Sequence, residues 1–151
     1  MRFESARDAL KHAQTFHQQL SQFYKHLTSR VLDEKSKQLL EYIANQEHAL
    51  AGLFKEYERE TPIGVLDTWF QYANDAEILR LPVFAEMHTN INSEEILTLS
   101  CQLSNELVQL YKQVEEQVEE PQVQDIFANL ADMQLQKQKR ITINYERLMD
   151  I

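Results

Sequence analysis

Residues 6–31 read ARDALKHAQTFHQQLSQFYKHLTSRV, and the spacing of their apolar side chains decides the fold. These side chains recur at alternating intervals of four and three residues, the pattern of an α-helix with one face packed on neighbouring helices. The positions on this face are Ala6, Leu10, Ala13, His17, Leu20, Tyr24, Leu27 and Val31. His17 places a polar group in the middle of the face.

Three further stretches show the same spacing, and each also carries polar residues near the middle of its apolar face. The second face consists of Leu40, Ile43, Glu47, Leu50, Phe54 and Tyr57. The third consists of Leu97, Ser100, Ser104, Leu107, Tyr111, Val114 and Val118. The fourth consists of Phe127, Leu130, Gln134, Lys137, Ile141, Asn144 and Leu148. The four faces predict an all-α, antiparallel four-helix bundle with a polar layer at one height.

The boundaries of the helices follow from capping residues and helix breakers. We expect one domain over 1–151, with helix A at about 4–30, B at about 33–60, C at about 93–118 and D at about 121–150. Ser5, Asp33 and Asn92 or Ser93 are suited to cap the first three helices, and Pro121 suits the first turn of the fourth. The short A–B connection makes these two helices an antiparallel hairpin.

Residues 61–92 lack a long helical period, which predicts a crossover strapped along the outside of the bundle. Its first apolar group is expected to form one buried turn of helix and consists of Val65, Leu66, Trp69 and Phe70. A second apolar group consists of Ile78, Leu79, Leu81, Val83 and Phe84. We expect Trp69 and Phe84 to pin the segment, either along this bundle or on a second copy of the chain.

Composition and charge exclude several classes of function. The net charge of -9 argues against nucleic acid and against an anionic membrane surface as partners. No run of 18 apolar residues occurs, and the N-terminus lacks an apolar signal core. A single cysteine, Cys101, cannot form an internal disulfide. These features predict a cytoplasmic protein.

The two halves of the sequence repeat one another with an offset of 87 residues. The offset superimposes Leu20 on Leu107, Tyr24 on Tyr111, His17 on Ser104 and Glu47 on Gln134. Two similar hairpins joined by a long crossover place helices A and C, and helices B and D, in equivalent positions of a bundle.

With these hairpins the chain resembles the ferritin-like superfamily, in particular its rubrerythrin-type branch. In that family two metal ions lie in the core, held by a Glu from each of two helices and a Glu-x-x-His from each of the other two. By this resemblance, the two single glutamates of the family correspond to His17 and Ser104 of this chain. The two Glu-x-x-His motifs correspond to Glu47 with Leu50 and to Gln134 with Lys137. Of these six positions, only Glu47 has the family's residue type.

A shifted register would instead use Asn45 and His48. That register places Glu41, Asn45, His48 and Gly52 on the inner face, which is too polar for a core, so we prefer the register with Glu47 inside.

The polar cluster of the core therefore consists of His17, Glu47, Ser104, Gln134, Lys137, Tyr24 and Tyr111. We interpret Glu47 and Lys137 as a buried ion pair that replaced the metal, supported by His17 and Gln134. The alternative is a residual metal site with His17 and Glu47 as its ligands and a regulatory or catalytic lysine. Tyr24 and Tyr111 are interpreted as core tyrosines, with donors to that centre as the alternative.

Function is predicted from what the core lacks. We expect a non-catalytic binding or structural module without a cofactor, forming a homodimer and binding an unidentified protein or small molecule. The alternative is a rubrerythrin-like oxidoreductase with iron or zinc on His17 and Glu47, aided by Glu86 or His88. A third hypothesis places the function on the acidic outer faces. No catalytic residue is assigned, because no Ser-His-Asp order, phosphate loop or Cys-x-x-Cys pair occurs.

Overall fold

Four long helices, one short helix and a two-stranded antiparallel ribbon make up the part of the chain that the structure describes. A computed structural model describes residues 2–72 and 90–150. The elements are β1 (Arg2–Ser5), α1 (Ala6–Leu27), α2 (Glu34–Glu60), α3 (Ile63–Leu66), β2 (Trp69–Tyr72), α4 (Ser93–Gln117) and α5 (Pro121–Met149), with a 3-10 turn at Thr28–Arg30. The predicted all-α antiparallel bundle of two hairpins is confirmed, with the small ribbon added to it.

The helices begin where their capping residues predict. Ser5 accepts a hydrogen bond from the Asp8 N–H at 3.1 Å, and Asp33 accepts one from the Ser36 N–H at 2.9 Å. Asn92 forms a capping box with Glu95, which identifies Asn92 rather than Ser93 as the cap of α4. Helix α1 is shorter than the predicted 4–30, because residues 2–5 are extended and residues 28–30 tighten into the 3-10 turn.

The ribbon corrects the prediction of a buried helical turn over residues 65–70. Helix α3 ends at Leu66, and Trp69 pairs with Ser5 in an antiparallel ladder. Neighbouring side chains of a strand point to opposite faces, so Phe70 is buried against Phe127 while Trp69 is 60% exposed. Trp69 therefore does not pin the crossover as predicted. Residues 73–89, with the second apolar group and with Glu86 and His88, lie outside the described part of the chain.

The two hairpins pack so that α2 contacts α5 in antiparallel orientation. Arg140 of α5 donates to Gln46 of α2 at 2.8 Å, and Asn129 of α5 donates to Tyr57 of α2 at 2.9 Å. Every residue of the α1 face from Ala6 to Val31 is buried, and the α2 face is buried from Leu40 to Phe54. Asn45 and His48 are exposed, so the register with Glu47 inside is the observed one.

Within residues 2–72 and 90–150, no helix is both long and apolar enough to span a lipid bilayer.

Candidate functional site: a polar layer in the bundle core

Glu47 lies at the centre of a polar layer halfway along the bundle. Its side chain projects from the inner face of α2, and the residue is 1% exposed. The Nδ1 atom of His17, on α1, lies 2.6 Å from Glu47 Oε2. The Nζ atom of Lys137, on α5, donates to Glu47 Oε1. Both oxygens of one carboxylate are therefore engaged by side chains from two other helices.

The local sequence explains how these side chains reach one point. His17 occupies the middle of the α1 face, where its ring packs edge-on against Phe54 at 5.2 Å and against Phe16 at 5.9 Å between ring centres. Lys137 is 2% exposed, so its aliphatic stem crosses the apolar core before the ammonium meets Glu47. The aromatic contacts orient the imidazole, and the stem carries the cation across from the second hairpin.

The charges of the layer depend on one another. Burial by itself raises the pKa of the Glu47 carboxyl, but the Lys137 ammonium and the His17 N–H favour the ionised form more strongly. The net effect lowers the pKa of Glu47 from 4.5 to about 2. Glu47 is therefore a carboxylate at neutral pH, although it lies in the core.

His17 is held as a neutral imidazole. Burial lowers the pKa of His17, with the Lys137 charge acting in the same direction and Glu47 opposing it. A carboxylate only accepts hydrogen bonds, so the Nδ1 atom that faces Glu47 carries the proton. The Nε2 atom then presents a lone pair, and it is buried without a hydrogen-bond partner among the described residues.

In the second hairpin, an uncharged pair takes the place of the His17–Glu47 contact. Gln134 Nε2 donates to Ser104 Oγ at 2.6 Å, and both residues are buried. His17 and Glu47 are 30 residues apart in the chain, and so are Ser104 and Gln134, in agreement with the 87-residue repeat. The prediction that Gln134 supports Glu47 is therefore wrong, because Gln134 pairs with Ser104 of its own hairpin. Its Oε1 atom has no partner among the described residues.

Two tyrosines border the layer in equivalent positions. Burial raises the pKa of Tyr24 well above its ordinary value, and the Glu47 charge adds to this effect while a hydrogen bond with Ser100 opposes it. Burial and the Glu47 charge raise the pKa of Tyr111 as well. Both phenols therefore keep their protons at neutral pH. Tyr24 is hydrogen-bonded to Ser100, and the Ser100 hydroxyl donates to Gln138 at 3.2 Å.

The donor set does not fit a pair of metal ions. Two metals in such a bundle need several carboxylates to neutralise and bridge them. Here Glu47 is the one carboxylate among the six ligand positions, and a lysine contacts it. Leu50 offers no donor atom, and Ser104 and Gln134 are bonded to each other. Across residues 2–72 and 90–150, no cluster of three or more His, Cys, Asp or Glu could hold a metal ion.

A second polar contact between the hairpins is not among the residues predicted from the sequence. The Oγ atoms of Ser36 and Ser93 lie 2.9 Å apart in the buried region where α2 and α4 begin. Ser36 stands four residues before Leu40, and Ser93 four before Leu97, so both continue the helical spacing of their faces. Extending the two faces by one turn would have found them.

A surface groove lies beside α3. It has a volume of about 630 Å³ and is lined in part by Arg7, Lys55, Arg59 and Leu66. Arg7 is paired with Asp67 at 2.8 Å, and Arg59 lies 3.6 Å from Glu56. Both guanidinium groups therefore already have acidic partners.

The hairpin order and the equivalent core layers define a ferritin-like four-helix bundle. A solved structure from Thermotoga maritima, provisionally described as a ferritin-like diiron-carboxylate protein, superimposes with a TM-score of 0.60 over 97% of each chain. The two sequences are 16% identical, so the likeness establishes the fold alone. No protein-family model matches this sequence, and no curated protein matches it either.

Proposed function

We propose that this protein is a non-catalytic binding or structural module, in which a polar layer takes the place of a di-metal centre. One observation carries the proposal: both oxygens of Glu47 are engaged, by Lys137 and by His17. Each oxygen of this carboxylate therefore already accepts a hydrogen bond from another helix. The helices are joined through side-chain contacts across the layer.

The composition of the layer supports the same function. A redox or oxygen-activating centre needs ligands that hold a metal and leave a coordination position open for the substrate. Five of the six expected ligand positions carry other residue types, among them Leu50 and Lys137. The predicted homodimer, the cytoplasmic location and an unidentified protein or small-molecule partner belong to this proposal as predictions.

A second candidate function is a metal-binding oxidoreductase with a rearranged site. The lone pair on His17 Nε2 favours it, because a buried imidazole nitrogen without a partner is a metal-ligand atom. His17 and Glu47 are the ligands for iron or zinc in this alternative, although Glu47 contacts the opposite ring nitrogen, Nδ1. Zinc usually takes three or four protein ligands, so two make a weak site.

Metal analysis separates the two functions. The chain is purified without chelator, its metal content is measured, and it is then reloaded with iron, zinc or manganese while the thermal midpoint is recorded. The binding or structural module predicts substoichiometric metal and an unchanged midpoint. Metal near one or two equivalents with a raised midpoint would contradict it.

Two matched variants extend the measurement. The oxidoreductase predicts that Glu47→Ala abolishes metal retention, whereas Glu41→Ala, on the exposed side of the same helix, does not. The binding or structural module predicts the same low metal content for both variants and for the wild type.

A further inference from the structure

We propose that the Lys137 ammonium prevents divalent metal ions from binding in the core of this bundle. Replacing Lys137 by histidine would then create a zinc site that includes His17 and Glu47. The inference rests on the proposed function, since it explains how the bundle core dispenses with a metal. According to this inference, one residue, Lys137, determines whether the polar layer can bind a metal ion.

The Lys137 ammonium occupies the carboxylate that a metal ion would need. Lys137 Nζ contacts Glu47 Oε1, and the two residues are 2% and 1% exposed. A divalent ion on Glu47 would lie beside this ammonium, away from solvent screening. Repulsion between like charges is strong in such surroundings, so the lysine and a metal compete for one carboxylate.

His17 and Glu47 provide two possible zinc ligands in the same layer. His17 Nδ1 lies 2.6 Å from Glu47 Oε2 and carries the proton of that hydrogen bond. A neutral imidazole can carry its proton on Nε2 instead, and an Nδ1 lone pair and a carboxylate oxygen then face each other across the layer. Both are donor types that zinc prefers, and a third protein ligand would give the count of an open zinc site. Lys137 already reaches Glu47 from α5, so a donor introduced at position 137 starts from the side of the layer where the ammonium now lies.

Leu50 provides a matched control within the same layer. It is related to Lys137 by the 87-residue repeat, lies three residues after Glu47 on α2, and is 1% exposed. Leu50→His adds an imidazole on the inner face and restores a Glu-x-x-His motif, but it leaves the ammonium on Glu47. Lys137→His adds the imidazole and removes the ammonium.

The experiment compares the full-length wild type, Lys137→His and Leu50→His. Zinc binding is measured by isothermal titration, and the visible absorption of bound cobalt reports the ligand geometry. We expect Lys137→His to bind one equivalent of zinc at least about a hundredfold more tightly than the other two chains, as expected when a like charge leaves a buried site. Circular dichroism monitors folding.

Different outcomes of this experiment test the role of Lys137 and the proposed function separately. Equal zinc affinity in Lys137→His and the wild type, or an equal gain in Leu50→His, would overturn the role of Lys137 and leave the proposed function standing. Stoichiometric metal in the wild type would overturn the proposed function itself. Should Lys137→His fail to fold, it is refolded with zinc: zinc-dependent recovery of helix supports the inference, and failure with and without zinc contradicts it.

Discussion

Replacing Lys137 with methionine isolates the contribution of the buried ammonium to stability. Methionine keeps an unbranched side chain in the core and removes the charge. Glu47, which is 1% exposed, is then left with the hydrogen bond from His17. Removing one partner of a buried ion pair typically costs about 3–5 kcal/mol, because the other charge stays buried without compensation.

The pKa of Glu47 shows how strongly its surroundings together favour the carboxylate. Its depression from 4.5 to about 2 is worth about 3 kcal/mol of preference for the carboxylate in the folded state. The Lys137 charge is the largest of the effects that lower this pKa. We therefore expect Lys137→Met to lower the free energy of unfolding at pH 7 by about 3 kcal/mol.

The assay is urea unfolding of the wild type, Lys137→Met, Glu47→Gln and the double variant. The double variant removes both charges and keeps an oxygen that accepts from His17, so it should be more stable than Lys137→Met alone. Lys139→Met, on the exposed side of α5, is the control and should stay within about 0.5 kcal/mol of the wild type.

Two results would refute this reasoning. A loss below about 1 kcal/mol in Lys137→Met would mean that the core tolerates an unpaired carboxylate, against the expected penalty. A double variant whose loss of stability equals the sum of the losses in Lys137→Met and Glu47→Gln would show that the two charges are not coupled.

The remaining predictions concern pH and the second hairpin. The stabilisation from Glu47 is complete above pH 4.5 and is lost as the pH falls through about 2, so the urea midpoints of wild type and Glu47→Gln should converge in acid. Ser104→Ala leaves the Gln134 amide unpaired and should cost about 1–3 kcal/mol in urea unfolding, whereas adding Gln134→Leu should recover most of it. Burial lowers the pKa of His17, so nitrogen NMR should find it neutral and protonated at Nδ1 at pH 7; an imidazolium signal at that pH would contradict this direction.

The helical faces could be predicted because spacing alone fixes which side of a helix is apolar. Once Leu10 and Leu20 define the inner face of α1, His17 must lie on it, and the same argument places Glu47 and Lys137. Which polar groups then meet could not be predicted from the spacing. Gln134 was expected to support Glu47 and donates to Ser104 instead, a choice that depends on side-chain reach.

The ribbon was missed for a different physical reason. A four-residue strand is too short for a two-residue period to be told from one turn of helix. Trp69 and Phe70 were both assigned to a buried turn, yet one points outward and the other inward. Their conformation depends on pairing with Ser5 and Glu4, far away in the sequence, which no local pattern reveals.

The asymmetry of the polar layer explains why it joins the two halves. The first hairpin supplies the anion, Glu47, and the second supplies the cation, Lys137, so each charge finds its partner only when α5 packs on α2. Leucine at both positions would bury more apolar area, and such replacements are often neutral or stabilising. The ion pair therefore contributes more to selecting one alignment of the two hairpins than to the overall stability of the fold. If one hairpin were displaced along the other, both charges would be buried without a partner, and this cost disfavours such alignments.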